Sequence, residues 1–349
     1  MGWLKLKEYG LKEAYIRKLM KEFGAYSDMF IASNFNLFSD KFKSTLEKVD
    51  KVDVSRILET HNKSSVRIIS AKDNEYPSDI KKLVDFPTFL YVKGNEMHRE
   101  RKIAVVGTRK VTKFGKASCE KIVKDLLEYD ITIVSGLAEG IDTIALNIAV
   151  QKNNNPIAIV GTGLDIVYPF ENREIWEKIG REGTIISEYP LGTSAQKWNF
   201  PKRNRLIAAI SNGVLVAESF HRGGSLITAE LAYSLDKEIF AIPGFINYTS
   251  FERCNNLIKE NKAKLGTTGE DIIKEFFWEA SAYKSKKANL DEDERIIYDC
   301  LTEEKSLEQL DSELEGILDS KKILYVLMIL KIKGIIVETG VSKYIRIVD

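Results

Sequence analysis

Histidine and cysteine are scarce in this chain of 349 residues, with three of each. Cys119, Cys254 and Cys300 stand far apart without a CxxC pair, and His61, His98 and His221 do not cluster with them, so no recognisable zinc site is set out. Neither a metal nor another cofactor is expected. No apolar run approaches the roughly 18 residues of a membrane-spanning helix. The N-terminal MGWLKLKEYGLKEAY carries charges where a signal peptide needs its apolar core, so a cytoplasmic location with no membrane partner is expected. Also missing is any GxxxxGK[ST] loop, and GTGLDI has Ile166 where a dinucleotide fingerprint needs its third glycine. Ser135 and Ser225 have no motif histidine beside them, and a lone His221 is more often a surface loop residue than a base, so no catalytic nucleophile is indicated.

What is present is ordinary for a globular protein: 44% apolar and 30% charged residues, in a length that accommodates two or three domains. The net charge of +1 conceals an asymmetry. From Asp291 to Asp349 there are 14 Asp and Glu against 8 Lys and Arg, a net of −6 that leaves +7 on residues 1–290. Tail and body therefore suit different partners.

Three patterns succeed one another. Residues 1–65 carry short amphipathic segments such as LKEAYIRKLMKEFG, where Leu11, Tyr15, Leu19 and Phe23 recur at helical spacing and Gly24 is placed to end the helix. Residues 66–280 hold an α/β pattern. The runs IAVV, ITIV, IAIV, TIIS, GVLVA and EIFAI alternate with helical stretches near 114–129, 139–151, 171–181, 203–211 and 225–235. Continuous apolar strands between amphipathic helices predict a doubly wound, Rossmann-like parallel sheet. A polar linker is expected over 281–294, although its DEDE run also suits a helix start, and residues 295–349 read as three helices and a hairpin turning near Gly340, a winged helix.

In such sheets ligands bind beyond the carboxyl ends of the strands. The loops expected there are GTRK (107–110), SGLAEGID (135–142), GTGLDIVYP (161–169), SEYPLG with the adjoining KWNFPKRNR stretch, and ESFHRGGSLITAE (218–230). Each glycine alone reads as a tight turn; several such loops at one edge favour a phosphate site. Asp142 reads equally as a helix-start residue. In KWNFPKRNR, Lys197, Lys202, Arg203 and Arg205 fall within nine residues without a carboxylate, at the entrance of a predicted helix whose dipole disfavours them. They are expected to face an anion, and Trp198 and Phe200 among them suit a stacking surface as well as a core role.

The ordered motifs VGTRKVTKFG (106–115), SGLAEGID, GTGLDIVYPFEN (161–172), ISEYPLG (186–192), FPKRNRLIAAIS (200–211), GGSLITAE (223–230) and IPG (242–244) resemble the DNA-processing protein A family, DprA/Smf. YPSDIKKLVDFPTFLYVKGN (76–95) is similar to that family's lead-in to its Rossmann-like domain, and the helical N-terminus would then be SAM-like. The resemblance implies a homodimer that binds single-stranded DNA, protects it and loads the RecA recombinase, with no enzymatic step. Carried over onto this sequence, the DNA site would comprise Arg109, Ser135, Gly136, Lys197, Phe200, Arg203, Asn204 and Arg205, with Lys202, Gly224, Ser225 and Lys237 as weaker members. Leu146, Gly223 and Asp236-Lys237 depart from the family pattern, as do Arg253, Asn261 and Lys262 in a neighbourhood tied in relatives to dimerisation and RecA contact. The alternatives are a nucleotide N-glycosidase of the lysine-decarboxylase-like group, resting on GGSLITAE and its Glu230, and a small-nucleotide sensor.

Overall fold

The structure, a computed structural model, describes residues 2–97, 100–220, 224–278, 290–333, 335–340 and 342–346. His98, His221, Gly223 and most of the expected linker lie outside the described residues. Two compact units result: Met1–Leu127 with Ile131–Gly269, and Glu128–Asp130 with Glu270–Asp349.

The first unit opens with helices α1 (Gly2–Glu8), α2 (Glu13–Glu22), α3 (Ala32–Phe35), α4 (Asp40–Asp50) and α5 (Ser55–Lys63). Along α2 the buried stripe is Ile16, Leu19 and Met20, with Phe23 just beyond it, whereas Tyr15 is exposed, so the apolar face is rotated from the one the sequence pattern picks out. Polar contacts fasten this helix to the segment 86–88. Glu13 accepts from the Thr88 hydroxyl at 2.7 Å, and Arg17 donates to the Phe86 carbonyl at 3.0 Å.

Strands β1 (Val66–Ser70) and β2 (Phe89–Gly94) then precede the alternating part: β3 (Lys102–Val106), α6 (Lys113–Leu127), β4 (Thr132–Ser135), α7 (Ile141–Gln151), β5 (Ile157–Val160), α8 (Arg173–Glu182), β6 (Thr184–Ser187), α9 (Asn199–Ile210), β7 (Gly213–Val216), α10 (Gly224–Ser234), β8 (Glu238–Ala241), α11 (Glu252–Lys259) and β9 (Lys264–Leu265). Their order in the sheet is β1-β2-β6-β5-β4-β3-β7-β8-β9. From β6 to β9 every pairing is parallel, and every residue of β4, β5, β6 and β7 is buried, as a sheet covered on both faces requires. β1 and β2 pair antiparallel with each other, and β2 pairs antiparallel with β6, so the expected lead-in is in fact the antiparallel edge of a mixed sheet. α6, α7 and α8 pack side by side, as do α9 and α10, which matches right-handed crossovers running outward in opposite directions from β3. Because β3 lies between β4 and β7, the loops leaving β3 and β7 diverge, and a crevice opens between them. Asp236 takes φ 53 in the turn before β8, a left-handed conformation that Asp tolerates better than most residues.

The second unit contains α12 (Gly269–Glu275), α13 (Glu292–Cys300), β10 (Lys305–Ser306), α14 (Leu307–Glu313), α15 (Ser320–Ile332), β11 (Ile336–Gly340) and β12 (Lys343–Arg346). β12 is the middle strand of a three-stranded antiparallel sheet, one strand more than the hairpin expected. Ile297, Leu310, Ile323 and Leu330 are fully buried at its centre. The DEDE run begins a helix: Asp291 accepts from the Glu294 amide at 2.8 Å while the Glu294 carboxylate accepts from the Asp291 amide at 3.0 Å, a reciprocal capping box. Ser306 and Gln309 repeat the device at α14. Three residues of the expected linker, Glu292 to Glu294, therefore belong to α13.

Candidate functional site

A cleft of about 590 Å³ lies at the switch point. Its walls are Gly107 to Lys110 after β3, Asp142 in the first turn of α7, Tyr168 after β5, Lys197, Phe200, Arg203 and Asn204 around the start of α9, and Gly224, Ser225 and Thr228 in α10. Neither α9 nor α10 has an acid in its first turn, so neither helix start is already matched to a carboxylate of its own. Gly140 is what lets these loops approach. It takes φ 84, and a Cβ there would collide with the Thr108 carbonyl, which accepts the Ile141 amide at 3.2 Å.

Arg203 forms the floor. Its side chain is buried and donates to the carbonyls of Gly136, at 2.6 Å, and Ile159, while Nε donates to Asn204 Oδ1 at 3.2 Å. Asp142 is its charge partner: its Oδ2 accepts the amides of Gly136 at 3.1 Å and Ala138 at 3.4 Å, and a Cβ on Gly136 would meet Arg203 Nη2 at 2.6 Å and Asp142 Oδ2 at 2.7 Å. Burial pushes the Asp142 carboxyl up to about 6, against the opposing pull of Arg203 and those two amides. The same burial brings Arg203 down to about 10, with Asp142 opposing and the charge of Arg109 adding to the fall.

Two other members of the basic cluster are answered within the chain. Arg205 is buried and donates from Nη2 to Glu188 at 2.7 Å and from Nε to Asp85 at 2.9 Å. Burial disfavours its charge, but Glu188 and Asp85 more than offset that and hold the guanidinium above its ordinary pKa. Lys202 lies 3.4 Å from the same Glu188 and 5.6 Å above the Tyr189 ring. Arg205 is thereby turned away from any external anion, whereas the Lys202 side chain, 51% exposed, keeps a face toward solvent. α9 begins at Asn199, earlier than the sequence pattern places it, so Arg203 and Arg205 stand in its second turn, beyond the reach of the dipole penalty.

The aromatic wall consists of Phe200 and Tyr168, with ring centroids 5.1 Å apart and planes inclined by 32°. Tyr168 is 41% exposed. Trp198 is also exposed rather than in the core, but it does not line the cleft. Arg109, Lys110 and Lys197 supply exposed cations at the rim.

The cleft thus gathers Arg109, Lys197, Phe200, Arg203, Asn204, Gly224 and Ser225. Asn204 bridges α9 to α10 through the Gly224 carbonyl at 3.4 Å, and the Ser225 hydroxyl is turned to Ser219 at 2.9 Å. Gly136 adjoins the floor in a small annex with Tyr168, Phe200 and Arg203. Ser135 is fully buried and donates to the Val105 carbonyl at 2.6 Å, which ties β4 to β3 rather than serving a ligand. Lys237 is removed altogether: it precedes β8, at the opposite edge of the sheet, 3.9 Å from Asp79. Tyr168 and Lys110 are cleft residues that sequence reasoning misses, although both lie in loops that it marks, GTGLDIVYP and GTRK. Among the described residues no cluster of His, Cys, Asp and Glu could hold a metal ion, and no helix is long and apolar enough to cross a membrane.

Sheet order and cleft together define a Rossmann-like α/β protein whose switch point combines helix N-termini, exposed cations and a pair of aromatic rings. Residues 67–277 match the family model described as DNA recombination-mediator protein A, and the chain belongs to that family. It is 37% identical over 282 residues to DNA processing protein DprA of Streptococcus pneumoniae, covering 78% of this chain and 96% of that one. Protein Smf of Escherichia coli is 37% identical over 209 residues, 59% of this chain and 55% of that protein. The solved structure of the S. pneumoniae protein superposes with a TM-score of 0.66 at 36% identity, over 79% of this chain and 98% of that chain. A Helicobacter pylori DprA structure, described for its single-stranded DNA binding mode, gives a TM-score of 0.56 at 28% identity, over 61% of this chain and 95% of that chain.

Proposed function

We propose that this chain binds single-stranded DNA in the switch-point cleft and, as a homodimer in the cytoplasm, protects the strand and loads RecA recombinase onto it during transformation or recombination, without a catalytic step. The observation that carries the reading is the Phe200–Tyr168 ring pair set among Arg109, Lys110 and Lys197. Single-strand binders need cations that follow phosphates and aromatic faces that accept any base, and here both line one cleft. The binding mode named for the H. pylori relative points the same way. RecA and the homodimer rest on family membership, and a winged-helix role for the second unit rests on its element order. The nucleotide-enzyme alternative is weakened by Glu230, which is exposed on α10 and does not line the cleft.

Titrating labelled oligo-dT at several salt concentrations, with AMP tested in parallel for binding and turnover, checks this proposal. Phe200→Ala is expected to weaken binding at every salt concentration by about 1–3 kcal/mol for each base that loses its stack. Arg109→Ala is expected to flatten the salt slope by about 0.7, the contribution of one neutralised phosphate. Unchanged oligonucleotide binding in both variants, or turnover of AMP, overturns the proposal.

A further inference from the structure

A second aromatic surface lies on the same sheet edge. Phe114 stands in the first turn of α6, and Phe245 and Tyr248 stand in the loop after β8, with centroids 5.6 Å apart for Phe114 and Phe245 and 5.7 Å for Phe245 and Tyr248. They are 41%, 63% and 53% exposed. This is a built surface. Phe114 packs edge-on against buried Phe251 at 5.3 Å, the Asn255 amide both donates to and accepts from the Gly244 backbone, at 3.0 and 3.1 Å, and the Tyr248 amide donates to the Phe245 carbonyl at 2.9 Å.

Topology makes the surface continuous with the cleft. β7 lies between β3 and β8, so a ring contact between the segment after β3 and the loop after β8 spans the end of β7, whose own following loop contributes Phe220 to the cleft wall. Lys110 lines the cleft, and Lys113 and Lys116 come next at the start of α6, all exposed and with no acid in that first turn. Lys116 comes no nearer than 3.9 Å to Glu120. Apolar patches that serve protein partners are depleted of lysine at their centres, whereas rings alternating with cations are what bases and phosphates of a single strand require.

We propose that Phe114, Phe245 and Tyr248 form a base-stacking shelf, with Lys113 and Lys116 contacting phosphates, that receives the nucleotides of a single strand leaving the cleft past Lys110. The proposal rests on the single-stranded DNA reading of the cleft and extends its footprint.

Oligonucleotide length separates the two. Binding of the full chain is compared for oligo-dT of about 6 nucleotides, near the lower end of single-strand site sizes, and of about 20, beyond their upper end. Phe245→Ala is expected to lose about tenfold affinity for the long oligonucleotide, the order of one lost stack, and to leave the short one unchanged. Phe245→Trp, which keeps a stacking face, is expected to bind like the parent, and thermal melts of both variants establish that the fold is intact. Lys113→Glu with Lys116→Glu is expected to reproduce the length-selective loss. Equal loss at both lengths would make these rings supports of the cleft, and no loss at either length, or a changed oligomeric state with unchanged binding, would make the patch something other than a DNA surface; each overturns the shelf. Phe200→Ala run alongside reports on the cleft itself, because its effect is expected at both lengths whether or not the shelf exists.

Discussion

Arg205 Nη2 lies 2.7 Å from Glu188 Oε2, and the two side chains are only 7% and 4% exposed. Glu188 comes from the end of β6 and Arg205 from the second turn of α9, so the pair pins the helix that carries Phe200 and Arg203 to the strand before it. Asp85, ahead of β2, completes the contact through both its carboxylate and its carbonyl.

That pair is expected to matter for stability rather than for ligand binding. Removing one partner of a buried, hydrogen-bonded ion pair costs about 3–5 kcal/mol, because the other charge is left without compensation. Glu188→Gln should therefore lower the denaturant midpoint, by less than that figure because Arg205 keeps Asp85 at 2.9 Å, while Arg205→Met in the same chain should recover part of the loss. In oligonucleotide titrations Arg205→Met is expected to keep the salt slope of the parent, in contrast with Arg109→Ala. A flattened slope for Arg205→Met would return this residue to the phosphate contacts.

The Arg203–Asp142 pair makes stability depend on pH. Burial holds the Asp142 carboxyl near 6 against an ordinary 3.8, so the folded chain keeps this proton where the unfolded chain gives it up. The stabilisation from Asp142 is complete below about pH 4 and declines as the pH rises to about 6, a loss on the order of 2 to 3 kcal/mol. Asp142→Asn retains an oxygen for the Gly136 and Ala138 amides and removes the titration. The stability of the parent minus that of the variant should fall between pH 4 and 6 in chemical denaturation, where carboxylates common to both cancel. A difference that rises with pH across that window would reverse the assignment.

The strands of the parallel sheet were legible because each is a short, continuous apolar run that only a doubly covered sheet can bury, as in IAVV before GTRK and ITIV before SGLA. The edge formed by VRIIS and FLYVKG was not, since antiparallel pairing across the 18 residues between β1 and β2 leaves no local turn signature. The cleft-lining loops could be read from where strands end. The basic cluster could not, because its compensation is remote: Asp85 is 120 residues from Arg205. Lys237 is a different lesson, for a residue that precedes a parallel strand lies at the edge opposite the cleft, and that much was readable in the sequence.

Tyr168 gives the aromatic wall a second, separable test. Its ring is tilted by 32° against Phe200 and carries a hydroxyl with no role in stacking. Tyr168→Phe should bind oligo-dT like the parent, and Tyr168→Ala should lose about 1–3 kcal/mol if one base stacks on this face. Equal losses in both variants would shift the contribution from the ring to the hydroxyl.

The second unit is expected to contribute little to single-strand affinity. Residues 291–349 carry a net charge of −6, which repels phosphates, and α15 exposes Leu324, Tyr325 and Met328 beside Lys321, Lys322 and Lys331, of which Lys322 pairs with Asp293 and Lys331 with Glu338. An exposed apolar face of that kind, in a unit whose net charge is acidic, suits a protein contact. Removal of residues 285–349 should leave the dissociation constant for oligo-dT within about twofold at moderate salt, since no favourable long-range charge is lost, and at low salt, where screening is weakest, binding should tighten slightly. A loss as large as that of Phe200→Ala would instead place a DNA contact in this unit, on a surface whose net charge opposes it.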